Sequence, residues 1–188
     1  KKIEGKEITK ICPLHGHIWR KDLDVIVDLY KKWATYTPEK KSVAVFYGSV
    51  YGHTGNAADI LSMKLAEKGV RDVRVYDVSK TDVSELTSVA FEYSHLVFAS
   101  ATYNMQIFDE MNVFLIELLH HNLSDRVVGI MENGSWAPAA GNLMTKKIEE
   151  MKRMVILEPM VKIKSGVKDN NIEEIDALVE ALVESLNR

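Results

Sequence analysis

The chain has 188 residues, a hydrophobic fraction of 46% and a formal net charge of −3, which fits one globular domain with room for a short appendage. The weak acidity excludes a nucleic-acid partner, because no basic stripe is available to neutralise phosphates. No apolar run approaches the roughly 20 residues needed to cross a bilayer, the first ten residues contain no apolar signal-peptide core, and Cys12 is the single cysteine. We therefore expect a cytoplasmic protein without an internal disulfide and without membrane contact.

From Lys41 onward, strand and helix patterns alternate along the chain. Short apolar runs rich in β-branched residues predict strands, at 42–48, 72–78, 95–100, 126–134 and 155–163. Amphipathic segments between and after them predict helices, at 55–69, 83–89, 109–122, 139–153 and 171–187. Pro159 interrupts the last strand, which predicts that this strand lies at an edge of the sheet.

This alternation predicts an α/β fold of the doubly wound type, with a five-stranded parallel sheet and helices on both faces. In that architecture ligands bind at the carboxyl ends of the strands, near the switch in strand order. Three loops are predicted at that edge, at 48–54, 100–108 and 133–139. All three are polar or built from small residues, which marks them as candidates for ligand binding.

The loop 48–54 joins a buried strand to a helix and contains no Lys or Arg. A helix N-terminus leaves backbone N–H groups unsatisfied, so it can bind an anion without a cationic side chain. Ser49 and Thr54 would add hydroxyl donors, and Gly52 would let the backbone approach closely. This combination suits a phosphate monoester. The alternative interpretation is that Ser49 and Thr54 only cap the helix.

Other phosphate-binding and catalytic motifs do not fit the chain. His53 and Thr54 stand where a P-loop needs Gly-Lys-Ser/Thr, and neither G-x-G-x-x-G nor the nucleophile elbow G-x-S-x-G is present after the first strand. The third strand ends without the acidic residue of a phospho-accepting receiver domain. No nucleophilic or acid–base pair is evident, so His53 and His95 are interpreted as structural or solvated and no catalytic residue is assigned.

The second and third loops each contain an aromatic residue, Tyr103 and Trp136. Two aromatic rings on neighbouring loops suit the stacking of a flat heteroaromatic ring, whose polar edge could meet Asn104 and backbone amides. Either aromatic residue alone is better explained by packing or by a chance surface position. The three loops together predict a bound flavin mononucleotide (FMN).

The span from about Ser42 to Asn187 resembles a flavodoxin and, more closely, the flavodoxin domain of flavodiiron proteins (A-type flavoproteins). The segments GSVYGHT, ATYN and NGSWAPAAG are similar to the three flavin-binding loops of that family. Tyr51 stands where classical flavodoxins carry a hydroxyl residue and the flavodiiron branch often has an aromatic residue or Met. Ala101 stands where the family often has Pro, which departs from the pattern.

The resemblance implies FMN as the cofactor and assigns residues to its two ends. The phosphate would be held by Ser49, Val50, Tyr51, Gly52, His53 and Thr54. The ring would be framed by Ala101, Thr102, Tyr103, Asn104, Gly134, Ser135, Trp136, Ala137, Pro138 and Ala139.

Residues 1–40 do not follow the alternation, and we predict them as an N-terminal extension before a flavodoxin-like domain at 41–188. ICPLHGHIWRKD, followed by LYKKW, resembles the end of the metallo-β-lactamase-like domain that precedes the flavodoxin domain in flavodiiron proteins. There the residue matching His15 is a ligand of the diiron centre. Because nearly all of that domain is missing, His15 is a candidate iron ligand only in a longer context, and we expect no bound iron here.

A helix is predicted from Asp22 to Thr35, followed by a linker at 35–41 that contains Pro38. The helix carries an apolar stripe, formed by Val25, Ile26, Leu29 and Trp33. Such a stripe is expected to pack against the flavodoxin-like domain or against a second copy of the chain, so a homo-oligomer is one expectation.

The resemblance implies an electron-transfer domain. It would pass electrons from a reduced donor, a rubredoxin-type protein or a coenzyme-linked reductase, to a diiron centre on a separate or missing domain that reduces dioxygen or nitric oxide. Two alternatives remain open. One is a self-contained NAD(P)H-dependent flavin or quinone reductase of the same fold, whose flavin NAD(P)H would bleach without a partner. The other is a flavin-free module that docks a partner through the same loops and stays colourless when FMN is added.

Overall fold

The computed structural model describes residues 5–188, and the chain divides into two compact units. One unit ends at Thr37, and the other spans Pro38–Arg188. This division lies a few residues before the predicted boundary at 40/41, because Lys40 already belongs to the first strand of the sheet. No helix within residues 5–188 is long and apolar enough to span a membrane.

The first unit contains α1 (Leu23–Ala34), close to the predicted helix bounds. Ile26 is buried and Leu29 half-buried, whereas Val25 and Trp33 are exposed. An apolar groove of about 590 Å³ follows one side of α1, lined by Ile8, Lys10, Ile11, Ile26, Val27, Tyr30, Lys31 and Ala34. The predicted stripe is thus only partly buried. That another surface covers its exposed part stays a prediction.

The second unit alternates strands and helices in the predicted order. Its strands are β1 (Lys40–Gly48), β2 (Arg74–Asp77), β3 (Tyr93–Tyr103), β4 (Gln106–Ile107), β5 (Val127–Asn133), β6 (Val155–Ile156) and β7 (Val161–Ile163). Its helices are α2 (His53–Glu67), α3 (Val83–Glu92), α4 (Asp109–His120), α5 (Ala140–Glu149) and α6 (Asp169–Leu186).

The sheet has the strand order β2-β1-β3-β5-β6, and β7 also pairs with β5. β6 and β7 pair with successive parts of β5, so they form one edge position that is interrupted around Pro159, as predicted. These pairings are parallel, while β4 adds a short antiparallel pairing to β3. The doubly wound sheet with five parallel positions is therefore confirmed.

The sheet is buried on both faces, as parallel sheets require. On one face Phe46 packs against Phe98 and against Phe114 of α4, with ring centroids 5.7 and 4.8 Å apart. On the other face, strand residues pack with Leu61 of α2 and Leu178 of α6. These two cores fix the carboxyl ends of β1, β3 and β5 side by side at one edge, where the three predicted loops begin.

Candidate functional site

A cleft of about 310 Å³ opens at the carboxyl ends of β1, β3 and β5. All three predicted loops contribute to its lining, through Ser49, Val50, Tyr51, His53, Thr54, Ala101, Thr102, Tyr103, Gly134 and Ser135. The switch in strand order lies between β1 and β3, because β2 follows on one side and β5 on the other. The cleft therefore occupies the place where doubly wound folds bind ligands.

The N-terminus of α2 is open toward this cleft. Its N-cap residue is Gly52, and no side chain caps the helix. Within the described chain, no backbone N–H from Val50 to Gly55 has a protein acceptor, and the first bond runs from Asn56 N–H to Gly52 O at 2.9 Å. By contrast, Asp82 closes α3 by accepting a hydrogen bond from a first-turn N–H. An uncapped helix N-terminus beside a cleft is suited to binding an anion.

Thr54 and Ser49 add hydroxyl groups to these amides. Thr54 is 2% exposed and Ser49 is half-buried, and both line the cleft. Neither hydroxyl bonds to another residue in the part of the chain that the structure describes, so the interpretation of Ser49 and Thr54 as helix caps is wrong. The cleft thus presents donors that the protein itself leaves unused.

Gly52 does not line the cleft but an adjacent cavity, which shares Ser49 and Val50 with it. Its φ of +85° is left-handed, and a Cβ atom there would meet nothing within 4 Å. The reason for the glycine is therefore the backbone conformation and not crowding by protein atoms.

The second loop is a tight hairpin between β3 and β4. Asn104 and Met105 both have left-handed φ, 47° and 61°, and the flanking pair is Tyr103 with Gln106. A two-residue turn with both central residues at positive φ is the type that fits the twist of a hairpin. Tyr103 lines the cleft while remaining 45% exposed. Asn104 does not line the cleft, and its place is explained by the turn.

The third loop enters the cleft only at its start. Gly134 and Ser135 line it, whereas Ala137, Pro138 and Ala139 do not. A Cβ on Gly134 would lie 2.9 Å from Pro138 Cα, so the loop folds back tightly on itself. Trp136 is 98% exposed and lies outside the cleft lining. Its stacking on a ring is not seen in this arrangement and stays a prediction.

Two residues that the sequence analysis did not assign also line the cleft, Asn133 and Ser165. Asn133 Nδ2 donates to Ser165 O at 2.9 Å, and Ser165 N–H donates to Asn133 Oδ1 at 3.1 Å. The position of Ser165 in the sequence was the signal that could have identified it. Ser165 follows the fifth predicted strand, whose carboxyl end reaches the same edge of the sheet.

The end of the third loop is tied to the sheet by two side chains. Thr102 Oγ1 accepts hydrogen bonds from the N–H groups of Ala139 and Ala140, at 3.1 and 3.2 Å. Glu132, which is 3% exposed, accepts from Gly141 N–H through Oε2 at 2.9 Å. Thr102 and Glu132 therefore close the N-terminus of α5. The sequence analysis had placed Thr102 against the ring and had not assigned Glu132.

The cleft contains no Lys or Arg among its described lining residues. Lys80 lies on the adjacent cavity, where its Nζ pairs with Asp77 Oδ2 at 3.0 Å. Binding of an anion here therefore depends on backbone amides and hydroxyls, as the composition of the first loop predicted.

The family model of flavodoxin matches residues 45–176. The chain belongs to the flavodoxin family. The match includes every loop that lines the cleft, from Ser49 to Ser165, and it begins within β1 and ends within α6.

Three solved structures resemble the chain. Rubredoxin oxygen:oxidoreductase from Desulfovibrio gigas matches 95% of this chain and 44% of its own, with a TM-score of 0.86 and 19% identity. A flavo di-iron protein from Thermotoga maritima matches 98% of this chain and 46% of its own, with a TM-score of 0.78 and 25% identity. A flavodoxin from the domain Archaea matches 78% of this chain and 99% of its own, with a TM-score of 0.68 and 23% identity.

The chain spans less than half the length of the curated relatives that it matches. It is 28% identical over 151 residues to an uncharacterized protein of Methanocaldococcus jannaschii, of which the match covers 37%. It is 22% identical over 144 residues to the anaerobic nitric oxide reductase flavorubredoxin of Escherichia coli, of which the match covers 30%.

The residues of the cleft fit FMN. The unpaired amides of 50–55 and the Thr54 hydroxyl would be available as donors for a terminal phosphate, and Tyr103 adds an aromatic surface to the lining of the same cleft. Together with the family and the flavodiiron relatives, this makes the chain an FMN-binding, electron-transfer flavin domain. When bound, FMN supplies the redox chemistry, while the protein binds it, orients it and sets its electrostatic surroundings.

Proposed function

We propose that this domain passes electrons from a reduced donor protein to a diiron centre carried by another domain or polypeptide, where dioxygen or nitric oxide is reduced. A rubredoxin-type protein or a coenzyme-linked reductase is the donor in this proposal, and the cytoplasm is the place of reaction. The flavin would accept electrons at the cleft, so that the chain acts as a relay and has no catalytic residue of its own.

The observation that carries the proposal is how much of the chain each kind of structure matches. The free-standing archaeal flavodoxin matches 78% of the chain, close to the share formed by Pro38–Arg188, about four fifths. The flavo di-iron protein matches 98%, so its match extends into the unit that ends at Thr37. The flavo di-iron protein therefore shares this unit with the chain. The free-standing flavodoxin matches the chain over 99% of its own length without it.

The iron ligands would come from outside this sequence. Within residues 5–188, no three His, Cys, Asp or Glu side chains lie together in a group that could hold a metal ion. His15 is exposed, and one imidazole cannot hold two irons, because such a centre also needs carboxylates and further histidines. We expect the chain to bind FMN without stoichiometric iron, and the apolar groove beside α1 to contact the additional domain or a second copy of the chain.

Each loop has a role in this proposal. The amides and hydroxyls of Ser49, Val50, Tyr51, Gly52, His53 and Thr54 hold the phosphate. Tyr103 packs against the ring, with Trp136 covering it from the third loop once FMN is bound. Asn104 serves the hairpin turn, while Thr102, Pro138 and Ala139 shape the third loop without contacting FMN directly.

An anaerobic experiment tests the relay. The FMN-loaded chain is reduced photochemically and mixed with nitric oxide, either alone or with the separately produced diiron half of the Thermotoga maritima protein. We expect stoichiometric iron in the partner only, catalytic nitric oxide consumption in the mixture, and no turnover by the chain alone. Turnover by the chain alone, or about two irons bound per chain, would overturn the proposal. Bleaching by NAD(P)H without any partner would favour the self-contained reductase instead.

A further inference from the structure

The N-termini of α2 and α5 both point to the cleft edge of the sheet, but only one of them is open. At α2 the amides of 50–55 have no protein acceptor among the described residues. At α5 the consecutive N–H groups of Ala139, Ala140 and Gly141 are bound by Thr102 and Glu132. The second helix is therefore closed to a ligand by side chains of β3 and β5.

This closure limits which amides the third loop can offer. Gly134 N–H donates to Ile163 O at 3.1 Å, and Pro138 has no N–H. In the described chain, the amides of Ser135, Trp136 and Ala137 are the ones in this loop that lack a protein acceptor. Three amides of the loop thus remain without a protein acceptor, and the loop ends where Thr102 binds Ala139 N–H and Glu132 binds Gly141 N–H in the first turn of α5.

Glu132 reaches α5 because side chains alternate along β5. Its neighbour Asn133 points to the opposite face and holds Ser165, while Glu132 faces the first turn of α5. Packing around the carboxylate is close. A Cβ on Gly141 would lie 2.7 Å from Glu132 Oε2 and 2.5 Å from Met160 Sδ. The carboxylate, the glycine and the methionine therefore fix one another.

Glu132 does not itself line the cleft, but it directly precedes Asn133, which does, so its formal negative charge lies next to a described lining that has no Lys or Arg. The partial positive charge of a helix N-terminus complements a carboxylate, and little water reaches a side chain that is 3% exposed. An interaction between this charge and a bound redox group is weakly screened, because the intervening medium is protein.

We propose that Glu132 is a positioning residue for FMN: it holds the third loop through Gly141 N–H, and its charge lowers the midpoint potential of the bound flavin. Reduction of FMN adds negative charge to the ring, and a fixed carboxylate nearby disfavours that charge. The inference depends on FMN binding and not on the diiron partner, so it can fail while the relay proposal stands.

Glu132→Gln tests the charge while keeping an acceptor for Gly141 N–H. Asp82→Asn is the matched control, because Asp82 also caps a helix, accepting from Ser84 N–H at 2.8 Å, and belongs to the loop after β2, which contributes no described residue to the cleft lining. The readouts are the midpoint potential and the dissociation constants for oxidised and reduced FMN. We expect Glu132→Gln to raise the potential and to tighten reduced FMN relative to oxidised FMN roughly tenfold, and Asp82→Asn to leave both unchanged.

Gly141→Ala tests the clamp with the charge retained. The added methyl group displaces the Glu132 carboxylate or Met160, so we expect oxidised FMN to bind more weakly. The number of charged groups is the same as in the wild type. If Glu132→Gln shifts the potential no more than Asp82→Asn does, the electrostatic role is wrong. If Glu132→Ala, which loses the acceptor for Gly141 N–H, binds oxidised FMN as tightly as Glu132→Gln, which keeps it, the third loop does not depend on the clamp, and the positioning role is wrong.

Discussion

Asn133 and Ser165 are joined by two hydrogen bonds, in which the side-chain amide of Asn133 replaces a backbone partner for Ser165. Asn133 Nδ2 donates to Ser165 O at 2.9 Å, and Asn133 Oδ1 accepts from Ser165 N–H at 3.1 Å. Both residues line the cleft. One strand end thereby fixes the loop that follows β7, next to the loop that begins at Gly134.

Asn133→Asp should loosen that loop, because a carboxylate cannot donate to Ser165 O. We expect roughly a three- to tenfold weaker FMN affinity, the range of one lost neutral hydrogen bond. Isothermal titration of the apoprotein with FMN measures it. Ser165→Ala is the control, since both bonds involve only the backbone of Ser165 and should survive. Wild-type affinity in Asn133→Asp would show that FMN binding does not depend on this pair of hydrogen bonds.

Thr54→Val should weaken FMN binding by roughly ten- to a hundredfold, because one hydrogen bond to a charged group contributes about 1.5–3 kcal/mol. Thr54→Ser keeps the hydroxyl and should bind much more tightly than Thr54→Val. The measurement is a fluorescence titration in which free FMN is quenched on binding. Wild-type affinity in Thr54→Val would show that the phosphate does not use this hydroxyl.

Gly52→Val should reduce both stability and FMN affinity, for a reason of backbone geometry. Its φ of +85° is unfavourable for a residue with a Cβ, at a cost of roughly 1–2 kcal/mol. Thermal unfolding of the apoprotein measures the stability loss, and titration measures the affinity. Gly69, at the end of α2, has the same φ of +85° and equally open surroundings. Gly69→Val should therefore destabilise the chain similarly without weakening FMN binding beyond that.

Binding of FMN should move Trp136 from its exposed position onto the ring. The chain contains two further tryptophans, Trp19 and Trp33, so the signal is assigned by difference. We expect tryptophan emission to be strongly quenched by FMN in the wild type and only weakly in Trp136→Phe. A fractional quench that is the same in both proteins would place Trp136 outside the flavin site.

Stability should fall below neutral pH through His95. Its ring is 4% exposed and lies 2.8 Å from Ser94 Oγ and 3.0 Å from Ser185 Oγ; burial lowers the pKa of His95 from 6.5 to about 4. The unfolded chain therefore binds a proton that the folded chain does not. The stabilisation is complete above pH 6.5 and is lost as the pH falls toward 4, amounting to about 3 kcal/mol.

Urea unfolding at several pH values between 4 and 7 measures this dependence. In His95→Gln, which keeps hydrogen-bonding groups but does not titrate, the part of the slope due to His95 should disappear. A wild-type slope in His95→Gln would mean that other groups cause the acid sensitivity.

The periodicity of the sequence was sufficient to predict the doubly wound sheet, the edge position of the strand interrupted at Pro159, and the three loops of the cleft. Burial requires apolar residues at every second position of a strand and at every third to fourth position of a helix. This spacing is local, so it can be recognised in the sequence. Loops at the carboxyl ends of parallel strands then follow from the order of the elements. The phosphate-binding role proposed for Ser49 to Thr54 could be predicted from the sequence because these residues are contiguous in the chain.

Only the tertiary structure decided which donors and charges remain free at that edge. The closure of α5 pairs Thr102 with Ala139 and Glu132 with Gly141, and the Asn133–Ser165 bonds join residues 32 positions apart. Such contacts depend on strand register and on which face a side chain takes, and neither leaves a periodic signal in the sequence. The exposure of Trp136 and the open N-terminus of α2 are of the same kind, because they are set by neighbours that the fold brings close or keeps away.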